Sequence, residues 1–180
     1  MKTIVLYEAG YPEAMLGLSL NYNQPVPKMP KVARGLIAQG GSHVKFLESM
    51  IVWIDINAPR FWWSQFDTYR YVTKQSESTM HTLTTRKLTQ DDFDATIPVG
   101  ILSVINSYIV LGQLIHAKDI LPESFLQRRI VCTSYKTLAN MYAQRIDHKL
   151  PQWQEFLGAV IEGIKHPEFI KNNDRCEEPH

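Results

Sequence analysis

The chain has 180 residues, 44% of them hydrophobic, and its 19 basic and 18 acidic side chains give a formal net charge of +1. This hydrophobic content predicts one domain, residues 1–180, with a buried core, while the balanced charge argues against a broad binding surface for duplex nucleic acid. No apolar run in the sequence approaches the roughly 18 residues that a membrane-spanning helix requires, so we expect no membrane association.

The N-terminal part is predicted to form a strand followed by two helices. The strand is expected at Thr3–Tyr7, which is apolar and rich in β-branched residues. A short helix is expected at Pro12–Leu20 and another at Lys31–Gln39, which the pair Gly40-Gly41 ends because glycine readily adopts positive φ. The three prolines of Asn23–Pro30 predict a loop between the helices.

The clearest strand is Met50–Asn57, in which apolar residues alternate strictly. A helix is expected to follow from Pro59 to Arg70, because proline is favoured in the first turn. Its aromatic residues are more typical of core or subunit-interface packing than of a surface that stacks on a ligand. These aromatic residues are Trp62, Trp63 and Phe66.

The C-terminal half is predicted to be mainly helical. Thr82–Thr96 is largely polar and predicts a loop or insertion, and Pro98–Ala117 predicts one long amphipathic helix. Pro122 is expected to begin a short helix that reaches Arg128 and Arg129. Two further helices and a frayed tail are predicted at Ser134–Asp147, Pro151–Ile164 and Asn172–His180, with Ser134 as an N-cap.

The cysteines and histidines favour a protein without a metal. Cys132 and Cys176 form no disulfide framework, and no two of the six histidines have metal-ligand spacing. The sequence therefore predicts a reduced, cytoplasmic protein.

Two ungapped segments carry a family pattern. That pattern is a His followed five residues later by Glu-His, a strand, a helix with Gln and Arg-His-Arg, and a loop that ends in Ser-x-Arg. Here the first segment reads HVKFLES, MIVWIDINAP, RFWWSQFDTYR and YVTKQSESTM, from His43 to Met80. The second reads LPESFLQRR and SYKTLANMYAQR, which brings Arg128 and Arg145 into register. In these segments the chain resembles the flavin-dependent thymidylate synthases.

The resemblance implies an α+β fold with a central, mostly antiparallel sheet packed with helices, and a homotetramer. It also implies the family's reaction, in which dUMP becomes dTMP with methylenetetrahydrofolate as carbon source and reduced FAD as hydride donor. Carried over by position, the nucleotide-binding residues are Gln65, Arg70, Ser76, Ser78, Arg128 and Arg145. The FAD-binding residues are Glu48, Ser49, Thr68, Tyr69, Lys136, Asn140 and Lys149. The match assigns no catalytic residue.

Several matched positions depart from the pattern. Glu-His ends in Ser49, Arg-His-Arg has become Thr68-Tyr69-Arg70, and Ser-x-Arg ends in Met80. Lys136 replaces an Arg of the pattern on the late helix, and Lys149 replaces a His that follows the final Arg. Each charged hydrogen bond contributes roughly 1.5–3 kcal/mol, so losing two or three would weaken FAD binding by about three to six orders of magnitude without compensation.

Three functions remain open at this point. The first is a divergent thymidylate synthase-like enzyme, and the second is a binding or sequestering protein that keeps the nucleotide pocket without FAD. The third is a purely structural or interaction protein on an inherited fold. The same side chains also have ordinary interpretations. Arg70 could complement a helix dipole, Arg145 could pair with Asp147 or with a helix neighbour, and Ser78 could be a simple loop hydroxyl.

Overall fold

A four-stranded antiparallel sheet forms the centre of the protein, whose computed structural model describes residues 1–171. The strand order is β1-β2-β4-β3, and every neighbouring pair is antiparallel. The strands are β1 (Lys2–Ala9), β2 (Ile51–Pro59), β3 (Thr73–Ser76) and β4 (Leu126–Ser134). The α+β class with an antiparallel sheet is thus confirmed. The predicted tail at 172–180 lies outside the described residues.

Helices surround this sheet and connect its strands. Helices α1 (Tyr11–Tyr22) and α2 (Met29–Gln39) lie between β1 and β2 in the chain, and α7 (Tyr135–Arg145) directly follows β4. The others are α3 (Arg60–Phe66), α4 (Thr79–Thr82), α5 (Val99–Val110), α6 (Leu114–Asp119), α8 (Pro151–Gly163) and α9 (Glu168–Lys171). Short 3-10 segments lie at Val26–Lys28, Gly41–Glu48 and Gln90–Asp92. The predicted proline-rich loop is therefore shorter than expected, because α2 begins at Met29.

The alternation in β2 decides which sheet face is buried. Val52, Ile54 and Ile56 are fully buried on one face, as their spacing predicts. Trp62 and Trp63 of α3 are fully buried in the same core. The prediction that they serve packing is thus confirmed, and the packing is in the core of the single chain. The main core therefore lies between this sheet face and the helices.

The opposite face, which we call the open sheet face, is only partly covered. It carries Ile4 and Tyr7 from β1, which are 43% and 63% exposed, and Asp55 from β2. Arg128 and Ile130 of β4 lie beside them because the strand register places them on the same side. A partly apolar sheet surface of this kind is unusual unless another layer covers it.

The prediction of a helix from Pro122 to Arg129 is wrong, because this segment is a turn that leads into β4. Pairing with the buried strand β2 over its whole length determines the outcome. In β4, Val131 and Thr133 face the core while Arg128 projects to the other side. Because successive side chains of a strand point to opposite sides, Arg128 and Arg129 lie on opposite faces of the sheet.

Two other predicted helices are shorter than expected. The helix from Pro59 stops at Phe66, and Thr68 Oγ1 donates to the carbonyl of Gln65 at 2.8 Å in the turn that follows. Arg70 consequently lies in a turn and not at a helix end, so it does not complement a helix dipole. The helix predicted for 98–117 is divided into α5 and α6 because Gly112 adopts a φ of 68°.

The predicted loop at 82–96 contains a second apolar cluster. Leu83, Leu88 and Phe93 are buried together with residues of α5 and α6. Asn106 of α5 fixes the backbone of Leu88, donating to its carbonyl at 2.9 Å and accepting from its N–H at 2.7 Å. This second cluster is separate from the main core and makes the segment a packed element of the fold.

Candidate functional site

A large cleft lies at one end of the open sheet face and has a volume of about 1260 Å³. The 3-10 segment Gly41–Glu48, the turn at 68–71, strand β4 and helix α7 form its walls. Ser134 caps α7, as predicted, because its Oγ accepts a hydrogen bond from the N–H of Thr137 at 3.2 Å. This cap fixes the direction in which α7 presents its side chains to the cleft.

Five of the seven residues predicted to bind FAD line this cleft. They come from three parts of the chain and are Glu48, Thr68, Tyr69, Lys136 and Asn140. Lys136 Nζ lies 2.6 Å from Glu48 Oε1, and both side chains are about half exposed. The positive charge of Lys136 is therefore partly neutralised before any ligand enters.

Tyr69 lines the cleft and also contacts the guanidinium of Arg145, which does not line it. Its hydroxyl donates to Gln144 Oε1 at 3.0 Å and accepts from Arg145 Nε at 2.8 Å. The Arg145 guanidinium also lies 5.7 Å from the Tyr69 ring centre and 5.1 Å from that of Trp153. Arg145 thus binds Tyr69 and not Asp147, and Tyr69 stands between its charge and the cleft.

The other two residues predicted to bind FAD lie elsewhere. Ser49 donates to the carbonyl of Phe46 at 2.8 Å and borders a second, smaller cavity of about 460 Å³. Lys149 is exposed and does not line the large cleft.

Arg70 is the one predicted nucleotide-binding residue that lines the large cleft. It is exposed, and within residues 1–171 its guanidinium makes no ion pair or hydrogen bond. Guanidinium groups bind phosphate and carboxylate oxygens through paired hydrogen bonds. Arg70 is therefore available to an anion that enters the cleft.

Three predicted nucleotide-binding residues have other roles in the single chain. Gln65 Oε1 accepts a hydrogen bond from Trp153 Nε1 at 2.9 Å. Ser76 ends β3 opposite Arg129, and Ser78 is the N-cap residue of α4, where its carbonyl accepts a hydrogen bond from the N–H of Thr82 at 3.1 Å. None of the three lines the large cleft.

Arg128 shares the open sheet face with the cleft but is already paired. Its Nε donates to Asp55 Oδ1 at 2.8 Å, and its Nη2 donates a second hydrogen bond to Oδ2. These hydrogen bonds from Arg128 hold the pKa of Asp55 below its ordinary value, so the carboxylate stays ionised at neutral pH. Arg128 is four residues from Cys132 at the cleft, or about 13 Å along the strand. Arg70, Arg128 and Arg145 thus do not converge on one cleft within a single chain.

The sequence did not single out several residues of the cleft wall. Tyr71, Thr133 and Thr137 line it, and no motif marked them. Cys132 also lines it, and burial raises the pKa of its thiol, which keeps it protonated and a poor nucleophile. The cleft wall is consequently rich in neutral hydroxyl groups.

The described part of the chain shows no arrangement for a metal or a membrane span. Among residues 1–171, no group of three histidine, cysteine, aspartate or glutamate side chains is placed to hold a metal ion. None of the helices in this range has the length and apolarity to cross a bilayer.

Comparisons with known proteins bear on this fold. No protein-family model matches the chain, and no curated protein sequence matches it. Two crystal structures of the flavin-dependent thymidylate synthase ThyX from Helicobacter pylori, both with FAD and dUMP, match with a TM-score of 0.78 and 15% sequence identity. Each match covers 97% of this chain and 100% of the Helicobacter chain. The chain therefore has the fold of the flavin-dependent thymidylate synthases.

Proposed function

We propose that this protein binds a pyrimidine nucleotide such as dUMP in the large cleft. The observation that carries the proposal is the unpaired guanidinium of Arg70 at a cleft whose walls are rich in hydroxyl and amide groups. A nucleotide needs a cation for its phosphate and hydrogen-bonding groups for its sugar and base. The proposal also draws on the fold, which the Helicobacter enzyme uses with dUMP.

The dimensions of the cleft support a ligand of this class. Its volume of about 1260 Å³ exceeds the roughly 300–1000 Å³ of common small-molecule sites. A mononucleotide therefore leaves room for a second molecule or for a larger one. Side chains from at least three separate parts of the chain contribute to the walls, which allows several fixed contacts to one ligand.

A second candidate function is flavin-dependent methyl transfer to dUMP, with methylenetetrahydrofolate as the carbon source. It is favoured by the five predicted FAD-binding residues that share the cleft. The hydroxyl and amide groups of the cleft suit the neutral parts of a flavin. The positive charge of the cleft is less suited to the phosphates of FAD. Lys136 is paired with Glu48, which leaves Arg70 as the unpaired cation for the two phosphates of FAD.

We further propose a cytoplasmic homo-oligomer, a tetramer by likeness to the family, in which the open sheet face is covered by a neighbouring copy. The exposure of Ile4 and Tyr7 on the edge strand β1 supports this, because the apolar face of a sheet is normally covered by another layer.

Calorimetric titration of dUMP into the purified protein tests the main proposal. We expect binding that Arg70→Ala weakens by roughly 10-fold or more, because one charged hydrogen bond contributes about 1.5–3 kcal/mol. Arg34→Ala is the matched control, since Arg34 is an exposed arginine of α2 that does not line the cleft. Absence of binding by the unaltered protein would refute the proposal.

Visible absorbance of the same preparation separates the two candidate functions. A yellow protein, or one that becomes yellow with added FAD, would favour the enzyme. A colourless protein that binds dUMP and takes up no FAD would favour a protein that only binds the nucleotide. Light scattering of this preparation measures the size of the oligomer.

A further inference from the structure

Tyr71 has an unusual backbone conformation at the mouth of the large cleft. Its φ is +61°, in the left-handed region that disfavours bulky side chains. Within residues 1–171 the only other residue besides glycine with positive φ is Asn23, a type that tolerates this region well. Tyr71 therefore has a backbone conformation that its own residue type disfavours.

Packing does not explain the tyrosine. Its side chain is 88% exposed, and in the described part of the chain its ring has no aromatic partner. Tyr69, two residues earlier, is different because it packs against Phe66 and Trp153. The carbonyl of Tyr71 accepts a weak hydrogen bond from Thr133 Oγ1 at 3.4 Å, a contact that any residue type could make. The strained residue thus presents an aromatic ring to solvent.

The position of the ring suggests what it contacts. Tyr71 lines the cleft next to Arg70, the unpaired cation. A flat ring beside a guanidinium matches a ligand that has an aromatic heterocycle and a phosphate. Such rings stack on exposed aromatic side chains largely independently of their substituents.

We propose that Tyr71 is the ring-stacking residue of the cleft and that it selects nucleotides or other heteroaromatic phosphates over sugar phosphates. This inference rests on the proposed function and adds the feature of the ligand that is recognised. Strained residues persist where surrounding structure holds them for a function. Replacing Tyr71 with glycine should therefore stabilise the folded protein and at the same time weaken its binding of the nucleotide.

The test compares Tyr71→Gly, Tyr71→Phe and Asn23→Gly by calorimetry and urea unfolding. We expect Tyr71→Gly to raise the urea midpoint and to weaken dUMP binding by roughly 5- to 150-fold, the range for losing one stacked base. Tyr71→Phe retains the ring and should bind dUMP within about threefold of the unaltered protein. Asn23→Gly also replaces a residue with positive φ, lies outside the cleft lining and should leave binding unchanged.

Deoxyribose 5-phosphate and thymidine serve as the probes that separate the two proposals. Tyr71→Gly should leave binding of the sugar phosphate unchanged, because that molecule has no ring to stack. If Tyr71→Gly binds dUMP as tightly as the unaltered protein does, the stacking proposal is overturned and nucleotide binding stands. A change in oligomer size with intact dUMP binding would assign Tyr71 to a subunit contact instead, which also overturns it.

The remaining outcomes are equally decisive. Thymidine binding that depends on Tyr71, with no gain from the phosphate of dUMP, would support stacking and refute phosphate recognition by Arg70. If the unaltered protein binds neither dUMP nor thymidine, both the stacking proposal and the proposed function fail.

Discussion

Replacing Glu48 by glutamine should tighten dUMP binding, although Glu48 occupies a position that the family resemblance assigns to cofactor binding. Glu48 Oε1 lies 2.6 Å from Lys136 Nζ on the wall of the cleft. The substitution removes one negative charge and releases Lys136 to a phosphate. Because both side chains are about half exposed, we expect the unfolding free energy to change by less than about 1 kcal/mol.

The gain in binding follows from Coulomb's law. A unit charge about 4 Å from a lysine ammonium gains about 1 kcal/mol in bulk water and several times more near a protein surface. A gain of about 1–2 kcal/mol tightens binding by roughly 5- to 30-fold. The effect should shrink at high salt, because the screening length falls from about 10 Å at 0.1 M to about 3 Å at 1 M.

Calorimetric titration of dUMP at low and high salt measures this change. Glu123→Gln is the matched control, because Glu123 forms a comparably exposed ion pair with Arg60 and does not line the cleft. An unchanged affinity for Glu48→Gln would show that the phosphate does not approach Lys136. A lower affinity would show that the Glu48 carboxylate itself accepts a hydrogen bond from the ligand, and either result refutes the reasoning.

Two further substitutions test the fold around the site. Gly10→Ala should destabilise the protein by at least about 2 kcal/mol in urea unfolding, because φ is +97° there and a Cβ would collide with the carbonyl of Ser49. Asp92→Asn should flatten the acid part of the stability profile. Hydrogen bonds from Arg86 hold the folded-state pKa of Asp92 below its ordinary value, so its stabilisation is present above about pH 4 and is lost as pH falls through the lowered pKa.

Each of these has a control within the chain. Gly100→Ala should cost nothing, because Gly100 lies in α5 with no atom near the added Cβ. Asp91→Asn changes the same side chain at an exposed neighbouring position and should leave the acid profile nearly unchanged. Equal effects in the control and test variants would show that the backbone conformation or the ion pair is not the cause.

The fold was most predictable where a local pattern agreed with its environment. The alternation at Val52, Ile54 and Ile56 located β2 because a half-buried strand requires it. The N-cap at Ser134 located the start of α7 because the hydroxyl satisfies a free backbone N–H. Strand β4 was not predictable in this way, since its identity depends on pairing with β2, which lies far away in sequence.

The site was partly predictable for a similar reason. Residues matched without gaps, such as Glu48, Tyr69 and Lys136, meet at one cleft although they lie far apart in sequence. The partner of Arg128 could not be foreseen, because its pairing with Asp55 follows from the register between two strands. The conformation of Tyr71 was equally hidden, since sequence patterns reveal positive φ mainly at glycine and asparagine.

The second apolar cluster gives the folded chain two separate buried regions. Leu83, Phe93 and Ile105 belong to one buried cluster, which within residues 1–171 has no buried residue in common with the sheet core. Gln152 of α8 reaches across to Asp94 at 2.6 Å and joins the two regions by a polar contact. We therefore expect the amides of the 83–121 region to exchange with solvent before those of the sheet core, which hydrogen exchange would measure.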